Sequence, residues 1–198
     1  MKKRFCLLMV MVLLAVGTLV LCSCAGQNNT ETNPAGAEQT EQPDQEAQDL
    51  TVTDCLGREV AIPAGADTFI AIGPGCLRLY CYVADVAKIV GIEELEVTSG
   101  TTGRPYIAAN PQLLALPVIG QGGPSNAPDA ERILAAGPDV IFSLYNSDAS
   151  TVDELQNTTG IPVVALSYGA TELFDPAVAQ SLSLIGEVTG NQERAAEV

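Results

Sequence analysis

Between residues 68 and 166 the chain alternates short β-rich apolar runs with helical stretches, and glycine or proline marks most of the switches. Residues 68–72, 89–92, 117–120, 139–144 and 163–166 read as strands. Helices are predicted over 76–86, over a stretch capped by Asn126 with Pro128 in its first turn and closed by Gly137-Pro138, and over 149–157, closed by Gly160. Strand, helix, strand at this spacing requires parallel pairing through right-handed crossovers. The predicted fold class is therefore α/β: a three-layer α/β/α sandwich with a mostly parallel sheet. A β-hairpin precedes it, because residues 50–54 and 59–63 alternate around the turn at Gly57. Asp175-Pro176 opens a further helix with Val178, Leu182 and Ile185 on one face, and Gly190 ends it. Asn191 then caps a last helix over 192–198.

The opening of the chain belongs to a different regime. Lys2, Lys3 and Arg4 precede an apolar run over residues 5–21, the pattern of a secretory signal. That run is slightly short of the roughly 20 residues that a relaxed bilayer span needs. Leu21-Cys22-Ser23-Cys24 resembles the lipobox of bacterial lipoproteins, which implies cleavage before an acylated Cys24 and a lipid-anchored protein outside the cytoplasm. An uncleaved anchor, and an ordinary signal with an incidental cysteine, are the competing readings. Residues 25–50 contain almost no large apolar side chain, six carboxylates and no lysine or arginine. Such a stretch buries too little surface to offset its ordering entropy, so an acidic tether is expected.

Composition narrows the function. All 24 acids follow Cys24, whereas three of the nine bases precede it, so the exported part carries a net charge of −18. Nucleic acid requires a cationic footprint and is excluded as a partner. The chain has no histidine. Imidazole-based triads and HExxH zinc chemistry are excluded with it. Cys55, Cys76 and Cys81 are odd in number and lack CxxC spacing, so no metal site is predicted. Glu93-Glu94-Glu96 and Asp153-Glu154 read as solvated faces without catalytic roles. No enzymatic activity and no cofactor are expected. Gly73 to Arg78 has a superficial likeness to the dinucleotide fingerprint, but Arg78 stands where its third glycine would be.

The blocks VTDCLGREVAIP, FIAIGPG, LPVIGQGG, APDAERILAAGPDVIF and LIGEVTGNQERAAEV are similar, in order, to the N-terminal half of substrate-binding proteins of ABC importers for iron-siderophore, haem and cobalamin. The resemblance implies two α/β lobes joined by a long helix, with ligand held in the cleft between them. On that reading residues 1–23 are the signal peptide, 24–50 the tether, 51–190 the N-terminal lobe, and 191–198 the start of the interlobe helix. The function implied is capture of a metal chelate (ferric siderophore, haem or cobalamin) and its delivery to an ABC permease. A truncated non-transport lipoprotein, either a sensor lobe or an inactive remnant, is the alternative.

Ligands of open α/β sheets meet the loops at the carboxyl ends of the strands. Here those loops are Gly73-Pro74-Gly75, 101–106, 121–124 and Tyr145-Asn146-Ser147. Arg104 and Tyr106 lead the expected ligand contacts, since a guanidinium pairs with anionic oxygen and a phenol both stacks and hydrogen-bonds. The competing readings are a surface salt bridge for Arg104 and a half-buried lid residue for Tyr106. Pro74, Gly75, Gln121, Tyr145 and Asn146 complete the set, with Arg78 as a weaker candidate. Glu131 is expected on the polar side of its helix, with Ala130, Ile133 and Leu134 facing inward. The resemblance implies that Glu131 docks on the permease.

Overall fold

The fold, obtained as a computed structural model, describes residues 49–145, 148–170 and 175–198. Strands β1 (Leu50–Thr53) and β2 (Glu59–Ile62) pair antiparallel, with Val52 opposite Val60. Their alternation turns Val52, Val60 and Ile62 into the core. Asp54 locks the turn between them. One carboxylate oxygen accepts the N–H groups of Leu56 and Arg58, both at 2.9 Å. The other accepts from Arg58 Nη1 at 2.8 Å and from Ala165 N–H at 3.2 Å. Arg58 also donates to Asp153, Gln156 and the Val163 carbonyl. The GREV block thus rivets the hairpin to the next sheet through a buried charge that is fully satisfied.

That sheet is parallel, in the order β3 (Phe69–Ile72), β4 (Val140–Ser143), β5 (Val163–Ala165). Every residue of the three strands is buried, as expected when helices cover both faces. Phe69, Ala71, Val140, Phe142 and Val164 pack with α1 (Cys76–Val83), α6 (Pro176–Thr189) and the hairpin. Ile70, Ile72, Ile141, Val163 and Ala165 pack with Ile133 of α4 (Ala130–Ala136) and Val152 of α5 (Ala149–Thr159). The three predicted layers are present. Phe69, Tyr80 and Phe142 form a triangle with every centroid separation at 5.9 Å.

Several local expectations change. The predicted strands 89–92 and 117–120 reduce to single parallel bridges, Phe69 with Ile89 and Ile92 with Val118. Pro117 has no N–H to give a ladder, and α2 (Glu94–Thr98) begins directly after Glu93. Helix α1 stops at Val83, short of the predicted 86, because Asp85 caps a separate 3₁₀ turn at Val86–Lys88. Asp129, not Asn126, caps α4, accepting the Arg132 N–H at 3.1 Å. Pro128 biases Ala127 away from helical geometry, and Asn126 turns back to the Gly122 carbonyl. The seven-residue α4 buries Ile133 but leaves Leu134 48% exposed, against the expectation that both face inward. Asp148 caps α5 and Asp175 caps α6, while Gly160 and Gly190 end them in left-handed geometry. Asn191 precedes α7 (Gln192–Glu197) without a side-chain cap bond, and its amide donates to Thr189 instead. No helix among the described residues is long and apolar enough to cross a membrane.

Candidate functional site

Because β3, β4 and β5 run parallel, the segments following them emerge at one edge of the sheet. Two buried carboxylates bind that edge to the neighbouring loops. Glu93, 6% exposed, accepts the Gly73 N–H at 3.1 Å with one oxygen and the Tyr145 hydroxyl at 2.8 Å with the other. The same hydroxyl lies 2.9 Å from the Gly123 carbonyl, so its proton is shared. Gly122 lets the loop approach, since a Cβ there would stand 2.8 Å from that of Glu93. Glu96, also buried, accepts from Arg104 Nη1 and from the Tyr106 hydroxyl, both at 2.9 Å.

These geometries correct the reading of Glu93 and Glu96 as solvated. Glu94 and Leu95 between them are exposed, as are Asp153 and Glu154. Burial pushes the Glu93 carboxyl above its ordinary value, outweighing the opposing effect of the Tyr145 and Gly73 donors. Burial, with the partner carboxylates adding to it, also raises the Tyr106 and Tyr145 hydroxyls, which therefore stay protonated and donate.

The expected contact residues fall as follows. Arg104 forms an ion pair with Glu96 and donates from the same nitrogen to the Leu95 carbonyl at 3.1 Å. Its Nη2 and Nε have no partner among the described residues. Tyr106, on α3 (Pro105–Ala109), is buried, its hydroxyl committed to Glu96. Pro74 and Gln121 are exposed, and Gly75 is half-buried in left-handed geometry at the start of α1. Tyr145 is half-buried. Asn146 and Cys24 lie outside the described residues. Glu131 is exposed on α4 beside the exposed Leu134.

Tyr168 is the residue that sequence reasoning missed. It lies just beyond β5, its hydroxyl donates to the Gly75 carbonyl at 2.7 Å, and it accepts from Arg78 Nη2 at 3.0 Å. A Cβ at Gly75 would collide with that hydroxyl, so glycine is required there for contact as well as for its φ of +79°. The signal was available: an aromatic residue three positions past the end of β5, at the carboxyl edge of an open parallel sheet.

A cavity of about 520 Å³ opens between Gly120-Gln121 and residues 126–132, with Glu94 on its wall. A second, of about 280 Å³, lies between Pro128, Tyr145 and α5. Neither includes Arg104, Tyr106 or Arg78. Among the described residues no group of three or more metal-ligating side chains comes together.

Three solved structures show what the fold resembles. The molybdate-bound periplasmic binding protein MolA of a Haemophilus influenzae ABC transporter aligns at a TM-score of 0.62 and 23% identity, over 75% of this chain and 49% of that one. The TroA-like periplasmic binding protein FepB of Veillonella parvula aligns at 0.56 and 28%, over 74% and 44%. A periplasmic solute binding protein of Veillonella parvula DSM 2008 aligns at 0.59 and 21%, over 76% and 44%. No protein-family model matches, and no curated protein sequence matches. The class these define is the periplasmic binding proteins of ABC transporters. This chain has the fold of one lobe of such a protein and spans less than half the length of the solved structures it matches.

Proposed function

We propose that the chain is the N-terminal lobe of a lipid-anchored, extracytoplasmic substrate-binding protein of an ABC importer. It captures a metal chelate at the carboxyl edge of its sheet and delivers it to a permease, performing no chemistry itself. The observation that supports this most is the gathering of the 73–75, 101–106, 121–124 and 145 segments by Glu93 and Glu96 on a periplasmic-binding-protein fold. A chelate suits the edge better than a bare ion. The chain has no imidazole to ligate one, and both buried carboxylates are already occupied.

On this reading Glu131 is the permease contact, acting through electrostatics that weaken with salt. The test is calorimetric titration of the full chain with haem, a ferric tris-catecholate and cyanocobalamin, beside free ferric, zinc and manganese ions. Binding of a chelate supports the reading. Binding of free ions alone, or of nothing, contradicts it.

A further inference from the structure

The six described cations differ in one respect. Arg58, Lys88, Arg104, Arg132 and Arg194 each pair with a carboxylate, through Asp54 and Asp153, Asp67, Glu96, Asp129 and Glu197 in turn. Arg78 has no carboxylate partner among the described residues, although the exported chain has four acids for every base. A guanidinium without a carboxylate among the described residues is conspicuous in so acidic a protein, because an acid that reaches it gains favourable charge pairing.

Arg78 is also held in place. It is exposed on the first turn of α1, its Nη2 donates to the Tyr168 hydroxyl at 3.0 Å, and its guanidinium carbon stands 5.4 Å from the centre of the Tyr168 ring. Tyr168 is fixed in turn by the Gly75 carbonyl. A planar donor whose other N–H groups have no partner among the described residues thus stands over the Tyr168 ring, at the edge where the post-β3 and post-β5 segments meet. Fixing the guanidinium in advance removes part of the ordering cost of binding.

We infer that Arg78, positioned by Tyr168, is the receptor for an anionic oxygen group of the ligand, so that the captured species carries carboxylate, phenolate or oxyanion oxygens. This rests on the capture reading above and selects within it. Haem, with its propionates, and a ferric catecholate qualify; cobalamin qualifies only through its single phosphodiester, and dicyanocobinamide, a corrinoid without that phosphate, does not. A bare oxyanion offers the same chemistry and is separated from a chelate by the test.

The experiment titrates the full chain and its Arg78→Gln, Arg78→Lys and Tyr168→Phe variants with haem, ferric tris-catecholate, molybdate and the phosphate-free corrinoid dicyanocobinamide, and records a melting curve for each variant. The expected result is binding of at least one anionic probe, weakened about 10- to 100-fold by Arg78→Gln and partly restored by Arg78→Lys, at unchanged melting temperature. Tyr168→Phe falls between, since it removes the positioning hydroxyl but keeps the charge. Two results overturn the inference and leave the capture reading standing: anionic probes bound equally well by Arg78→Gln, or dicyanocobinamide alone bound. Failure of every probe to bind the unaltered chain would remove the capture reading and this one with it.

Discussion

The Tyr145 hydroxyl donates to Glu93 at 2.8 Å across 52 residues of sequence, while the second oxygen of that carboxylate holds the Gly73 N–H at the end of β3. One buried glutamate therefore ties together the exits of two adjacent parallel strands. Replacing Glu93 by alanine leaves the Gly73 N–H buried without an acceptor, and unfolding free energy should fall by roughly 1–3 kcal/mol in urea denaturation. Retention of full stability would show that the tie is dispensable.

The same carboxyl makes a pH prediction with a definite sign. Burial raises its folded-state pKa above the unfolded value, so the folded chain holds the proton more tightly. Its contribution to stability is present in full below the unfolded-state pKa and is lost as pH rises through the folded-state value. Glu93→Gln cannot ionise. The stability of this variant relative to the parent should accordingly improve as pH rises through that window. A pH-independent difference between the two would argue that Glu93 does not titrate as described.

Asp54 accepts four hydrogen bonds at 1% exposure, so Asp54→Ala leaves three backbone N–H groups without this acceptor and removes one of the two carboxylates paired with Arg58, which keeps Asp153. A loss of about 2–4 kcal/mol is expected, mainly from the buried N–H groups left without an acceptor. Limited proteolysis should then cut first in the hairpin. A variant as stable as the parent, with a protected hairpin, would contradict the rivet.

Cys24→Ala tests the anchoring proposal. The parent should partition with membranes and yield an acylated N-terminal peptide by mass spectrometry, and the variant should do neither. Equal membrane recovery of the variant would favour an uncleaved anchor.

The layers of the fold were legible because local patterns carry them. FIAI, VIFS and VVA are short apolar runs that only a doubly covered strand accommodates, and the glycines at 137, 160 and 190 end helices where expected. The site was less legible. EELE reads as a solvated face because nothing local shows that Tyr145 and Gly73 will enclose Glu93, or that the chain will fold Tyr106 and Arg104 back onto Glu96. The Arg78–Tyr168 pair spans 90 residues and depends on the right-handed return of β5 beside β4. Asn126 lost the cap to Asp129 because a proline between them decides the backbone before either side chain does.

Hydrogen–deuterium exchange of the full chain, with and without whichever chelate binds in the titration, reads directly whether ligand is captured at the carboxyl edge. Ligand should slow exchange around Gly73-Gly75, Arg104-Tyr106, Gln121-Gly123, Tyr145 and Tyr168, with the hairpin and the exposed side of α5 unchanged. Protection confined to the hairpin or to α5, with the carboxyl edge unaltered, would contradict it.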